Sequence, residues 1–235
     1  MQIVKAKIYS HKELIGTTEL KVGDESMGCV YGDFIPNETY YKTFQKSVWD
    51  FWRTNKPNYK KWYSLRLNVQ LENGYFLFPT GGYTIDDIQE LPDELKRINI
   101  AGLDRHIFED YFLQNTERPF LEKPWYQIDI ERKIALENEL YKEIGLTDNS
   151  FFDVLKNRTK HFLADFEFSA LATYGCNDDV LFSVRKIGFE KKIAVIHLTW
   201  KGKKEVENFP WTDFFTDFDE FKCLRMYPDK IEWED

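Results

Sequence analysis

Residues 179–200 read DVLFSVRKIGFEKKIAVIHLTW, and the fold turns on how they pair. Two runs rich in β-branched and aromatic residues flank the polar, glycine-containing stretch RKIGFEKK (185–192). That is the composition of a β-hairpin. Side chains alternate along a strand. In the second run Ile193, Val195, His197 and Thr199 therefore share one face, and Ala194, Ile196, Leu198 and Trp200 the other. One face is wholly apolar, and His197 belongs to the mixed one. Pairing of the two runs predicts that Leu181 and Val195 are buried.

Upstream lies LATYGCNDD (171–179), where a glycine, a cysteine, an asparagine and two aspartates precede the first run. Further back, YQIDIERKIALENELYKEIG (126–145) reads as a helix. Ile130, Ile134, Ala135, Tyr141 and Ile144 form its stripe, and Gly145 stands where a C-terminal cap belongs. DNSFFDVLKN (148–157) reads as a short helix or turn. Downstream, a last helix starts at Thr216 with Asp219 three residues later, a capping-box pattern, and faces Phe218, Phe221 and Leu224 inward.

The N-terminal half opens with strand patterns at QIVKAKIY (2–9), LIGTTEL (14–20) and GCVYGDF (28–34). A helix follows from Asn37, which can cap it, with Tyr40, Tyr41, Phe44, Val48, Phe51 and Trp52 on one stripe. KWYSLRLNVQL (61–71) alternates cleanly and predicts a strand. Asn73-Gly74 then predicts a hairpin over 61–78. A short helical segment near 85–90, a strand at 96–100 and a short helix at 104–113 complete this half. Two prolines and several polar residues in NTERPFLEKPW (115–125) mark a boundary. The expected architecture is α+β, mostly antiparallel sheets with flanking helices. It divides into modules 1–118 and 119–235, or forms one domain with a helical insert. Neither internal repeats nor low-complexity segments occur.

The chain carries 20 Phe, 13 Tyr and 7 Trp in 235 residues. Most must be core, because rings bury large areas, and the surplus suits a binding surface. A net charge of −8 argues against non-specific nucleic-acid binding, which needs a basic surface. It fits a basic protein partner. Cys29, Cys176 and Cys223 are odd in number and widely spaced, so neither a disulfide framework nor a zinc site is expected. With no signal peptide and no apolar run of spanning length, a cytoplasmic location and no membrane partner are expected. Oligomeric state is not legible.

No GxGxxG, P-loop, HExxH or GxSxG pattern occurs. PTGGYT (79–84) lacks the lysine of a phosphate cradle and reads as a turn. The histidines are dispersed at 11, 106, 161 and 197, which disfavours a histidine-rich metal site. Asp178 and Asp179 can bind a divalent ion or divide acid and base roles. Neighbours on a strand point to opposite faces, however, and turn chemistry is the preferred reading. Cys176 and His197 can form a nucleophile–base pair in principle, although no cysteine-hydrolase signature surrounds Cys176. Asp213, Asp217, Asp219 and Glu220 make an acidic cluster, half of it explained by helix capping.

Two stretches carry a resemblance. IGTTELKVGDESMGCVYGDFIPNETYY (15–41) resembles the N-terminal pattern of small uncharacterised bacterial proteins. NDDVLFSV (177–184) with KIAVIHLTWKGKKE (192–205) resembles a C-terminal module of similar proteins. Acidic, motif-poor bacterial proteins of this kind are similar in type to immunity proteins that neutralise toxins. The expectation is therefore a non-catalytic protein-binding module without metal or cofactor, possessing no catalytic residue and using Asp178, Asp179, His197, Trp200 and Trp211 for binding. The alternative is a metal-dependent hydrolase or transferase built on Asp178, Asp179 and His197.

Overall fold

The computed structural model describes residues 3–114, 120–146, 161–206 and 208–235. The chain has an α+β fold with two antiparallel sheets. It divides into two compact units, Met1–Arg118 and Pro119–Asp235. Among the described residues no helix is long and apolar enough to cross a membrane.

In the first unit β1 (Val4–Ser10), β2 (Glu13–Val22) and β3 (Val30–Pro36) form a meander. With β4 (Leu67–Leu71), β5 (Gly82–Asp86) and β6 (Arg97–Ala101) they build one sheet in the order β4-β1-β2-β3-β6-β5. Between β3 and β4 lie α1 (Gln45–Trp52) and α2 (Tyr59–Tyr63). Asn37 does cap the entry, accepting the Tyr40 N–H at 3.1 Å. The first turn, Tyr40–Phe44, is nevertheless π-helical, which rotates the stripe. Tyr40, Val48 and Phe51 are buried, while Tyr41 and Trp52 face solvent.

Two predictions for this unit are corrected. The strand expected over 61–71 keeps only its second half. Asn58 accepts the Lys61 N–H at 3.0 Å and nucleates α2, and Arg66 sits at φ 44°, breaking the extended run before Leu67. Alternation alone does not register a capping asparagine three residues upstream. The stretch near 85–90, expected to be helical, begins with the end of β5, paired Ile85 to Ile98 and Asp86 to Arg97, and continues as loop and turn. The Asn73-Gly74 reversal is present, with Gly74 at φ 91° and Leu71 N–H donating to Tyr75 O at 2.8 Å. After β6 comes α3 (Arg105–Phe108), which runs into a π-helical turn. Among the described residues of this unit one charged group is buried, Asp87, which accepts from Tyr40 Oη (2.7 Å), Gln45 Nε2 (3.0 Å) and Trp49 Nε1 (3.1 Å). Lys96 lies 3.6 Å away. Burial and the Asp87 carboxylate hold the Tyr40 hydroxyl far above the usual phenol range.

In the second unit β7 (Trp125–Gln127), β8 (Glu167–Tyr174), β9 (Asp179–Arg185), β10 (Ile193–His197) and β11 (Trp211–Phe215) form a sheet in the order β11-β10-β9-β8-β7. The predicted hairpin exists. Val195 faces Leu181 across β9 and β10, and both are buried. Against this sheet packs α4 (Ile130–Glu143). Ile130, Tyr141 and Ile144 of the predicted stripe are buried, and the inward face also takes in Lys133, Leu136, Leu140 and Glu143, while Ala135 is exposed. Buried Lys133 pairs with Glu137 and donates to Ser169 Oγ at 2.8 Å. An apolar-stripe search passes over a face that carries paired charges. Gly145, at φ 79°, follows the helix as expected.

The C-terminal helices are α5 (Phe218–Phe221), a π turn (Lys222–Met226) and α6 (Tyr227–Glu234). The cap is Asp217, one residue later than predicted, accepting the Glu220 N–H at 2.9 Å, while the Glu220 carboxylate reaches back to Thr216 N–H. The π turn carries Leu224 outward, so only Phe218 and Phe221 are buried as expected. The segment predicted at 148–157 lies outside the described residues.

Candidate functional site

The pairing of the second sheet sets a row of five side chains across one end of it. Trp211 stands opposite His197, and His197 opposite Asp179. The β8–β9 register, Thr173 to Val180, brings Tyr174 beside Asp179, and Tyr174 stands opposite Trp125. Residues directly opposite in a sheet share a face. Trp125, Tyr174, Asp179, His197 and Trp211 therefore line one face, running from a buried indole at one side to an exposed one at the other.

Asp179 is the hub. Its Oδ1 meets His197 Nδ1 at 2.8 Å, and its Oδ2 accepts from Arg225 Nη2 at 2.5 Å and from Asn177 Nδ2 at 3.2 Å. Arg225 comes from the π turn before α6. Its Nε also donates to Asp229, at 2.9 Å and 3.1 Å to the two oxygens. The guanidinium lies over the rings of Trp125 and Tyr174, 5.9 Å and 5.6 Å from their centroids. Trp125 Nε1–H donates to Asp229 Oδ2 at 2.8 Å. Burial works against the Arg225 charge, yet Asp229 and Asp179 outweigh it and hold the guanidinium protonated. The Tyr174 hydroxyl is pushed up to about 12 by burial, by the Asp229 charge and by its bond to the Cys176 thiol.

Asp178 points away from this row, as strand alternation requires. It accepts from Trp200 Nε1 at 3.0 Å. Asp178 and Asp179 thus serve different partners. The turn role expected of them falls to Asn177, whose Oδ1 accepts the Asp179 N–H at 2.7 Å. Trp200 has φ 56°, a conformation that costs about 1–3 kcal/mol for a bulky residue and persists only where its surroundings enforce it. The enforcement is visible. Buried Glu143 Oε1 accepts the N–H groups of both Thr199 and Trp200 at 2.7 Å, and Glu139 Oε1 accepts that of Gly202 at 2.8 Å. Arg132 lies over the indole, 5.1 Å from its centroid. Burial raises the Glu143 carboxyl above the usual range, against the lowering effect of those N–H donors, and its Oε2 has no partner among the described residues.

The predicted residues thus fall into two groups. His197, Asp179 and Trp211 share the row, and Asp178 and Trp200 form a clamp beside the loop after β10. Cys176 makes no hydrogen bond to His197 among the described residues; it lies beside Tyr174. No group of three or more histidine, cysteine, aspartate or glutamate side chains among the described residues can hold a metal ion. Sequence reasoning missed Arg225, Asp229, Tyr174, Trp125 and Glu143. Arg225 and Asp229 carried a signal, opposite charges at i,i+4 spacing on a helix; the others carried none. No family model, no curated protein and no solved structure matches the chain.

Proposed function

We propose that the protein is a non-catalytic protein-binding module. Its docking surface is the rim of the second sheet, where Trp211 and His197 supply contact area from the row and, beside the loop after β10, Trp200 supplies a further indole and Asp178 negative charge for a basic partner. The observation that carries this reading is Trp200: an indole 40% exposed, on a strained backbone, clamped by Asp178, Glu143 and Arg132. A side chain fixed before its partner arrives loses little entropy on binding, and tryptophans of this kind dominate binding energies. Trp211, 66% exposed, extends the face, and Asp213 receives its indole N–H at 3.4 Å. Charge complementarity steers a basic protein toward it. The sharper form of the reading is an immunity-type inhibitor of a bacterial toxin, in keeping with the resemblance to small bacterial proteins. A cytoplasmic setting goes with the three free cysteines, Cys29, Cys176 and Cys223.

The test is site-specific photocrosslinking in the native host. Benzoylphenylalanine at position 211 should give one discrete adduct with a basic protein, lost in Trp200→Ala and absent when the probe sits at fully exposed Ile187. Equal labelling from both positions would refute the reading. The competing hydrolase or transferase reading, through Asp178, Asp179 and His197, requires that Mg²⁺, Mn²⁺ or Zn²⁺ raise the melting temperature. A metal bound only by the folded state adds about 2.7 kcal/mol at a hundred times its dissociation constant. We expect no rise, and a rise abolished by Asp179→Asn would favour that alternative.

A further inference from the structure

The first unit carries a surface of opposite character. Between residues 42 and 66 stand seven lysines and arginines and one acid, Asp50. That segment is net +6 in a chain of net −8, so the remainder is −14. On α1, Lys46, Asp50 and Arg53 recur at i, i+4 and i+7 and so lie on one face. Lys61 on α2 reaches across to Asp50 at 2.8 Å and joins the two helices. That bond comes first among the causes that draw the Asp50 carboxyl below its ordinary range, and the nearby charges of Lys46 and Arg53 add to it. Lys46, Arg53, Lys56 and Lys60 are exposed and carry no ion pair among the described residues.

Two exposed rings sit among these cations. Tyr59 is packed edge-on against buried Phe51, centroids 5.5 Å apart, and Tyr63 follows at 6.4 Å on the same short helix. Phe51 supports Tyr59 from below, and both tyrosine rings are exposed.

We propose that this α1–α2 face docks a short acidic segment of a partner protein, with Lys46, Arg53, Lys56 and Lys60 pairing its carboxylates and Tyr59 and Tyr63 packing against an apolar residue within it. Four free cations confined to one helical corner match a few carboxylates. A nucleic acid carries one charge per about 1.7 Å of duplex, and a strand longer than the corner would meet the negative remainder of the chain. Two tyrosine rings alone give little area for insertion into lipid. The inference uses none of the second-sheet residues proposed above to meet a basic partner.

The test uses the full chain and fluorescence anisotropy. The probe is a fluorescein-labelled nine-residue peptide of glutamate and aspartate with one central phenylalanine. Its affinity should fall with added salt, and by about tenfold or more in Lys46→Glu/Arg53→Glu/Lys60→Glu. Should that triple variant fail to fold, Lys56→Glu alone, between the helices, is expected to weaken binding about twofold to threefold. Tyr59→Ala/Tyr63→Ala should weaken it as well, and Trp200→Ala/Trp211→Ala should not. Peptide binding that is absent at low salt, indifferent to charge reversal, or lost with Trp200 and Trp211 would overturn the inference. So would tighter binding of a fifteen-nucleotide oligothymidine or of phosphatidylserine vesicles.

Discussion

Replacing Arg225 by methionine tests the hub of the second unit most directly. Methionine keeps much of the aliphatic stem over Trp125 and Tyr174 and removes the charge. Two buried carboxylates then lose their common cation. Asp229 retains the Trp125 N–H at 2.8 Å, and Asp179 retains His197 at 2.8 Å and Asn177 at 3.2 Å. Removing one partner of a buried ion pair costs about 3–5 kcal/mol, because the other charge is left uncompensated. Here two charges are left, each with a residual donor, so about 3–5 kcal/mol is expected for Arg225→Met. Asp179→Asn should cost less, about 1.5–3 kcal/mol, the worth of hydrogen bonds to a charged group, since Arg225 keeps Asp229. Urea denaturation gives the magnitudes, and amide exchange in β8–β10 reports the second unit by itself, since a two-unit chain need not unfold in one step. A cost for Arg225→Met below about 1 kcal/mol, or one smaller than that of Asp179→Asn, would refute the claim that Arg225 neutralises both aspartates.

Leu181→Asp places an unpaired carboxylate opposite Val195 at a wholly buried position. It should cost about 4 kcal/mol or more, and an unchanged melting temperature would deny the β9–β10 pairing. Glu143→Gln keeps the acceptor that holds Thr199 and Trp200 and removes an ionisation that burial disfavours. The Glu143 carboxyl is raised in the fold, so native protein binds its proton more tightly than unfolded protein does. Its contribution to stability is therefore present at acid pH and lost as pH climbs past the folded value. The glutamine variant should show a flatter decline in urea midpoints as pH rises above the ordinary glutamate range, and an unaltered slope would count against the assignment.

Sequence patterns foretold the fold class and the hairpin over 179–200, and the reason is physical. Both runs are buried along nearly their whole length, so apolar continuity marks them and the polar connection separates them. Patterns failed where a single polar atom decides. Asn58 converts half of an alternating run into a helix through one hydrogen bond. Burial of Lys133 and Glu143 on α4 depends on partners at Ser169 and Thr199, 36 and 56 residues away. The candidate site was legible to the same degree. Asp178, Asp179 and His197 drew notice by residue type. Their separation into two groups followed from strand alternation, whereas Arg225, which fixes the role of Asp179, is 46 residues distant.

That remote arginine bears on chemistry as well as stability. A carboxylate that orients a histidine through Nδ1 leaves Nε2 facing outward, the geometry of a general base. In such pairs the carboxylate stabilises the imidazolium formed when the base takes a proton. Asp179 is shared with a guanidinium that is closer, and that guanidinium is itself held by Asp229. The oxygens a divalent ion would need are likewise committed, one to the histidine and the other to the arginine and Asn177. The arrangement holds His197 through Nδ1 at 2.8 Å. It presents a fixed ring between the fixed carboxylate of Asp179 and the exposed indole of Trp211, in register across adjacent strands.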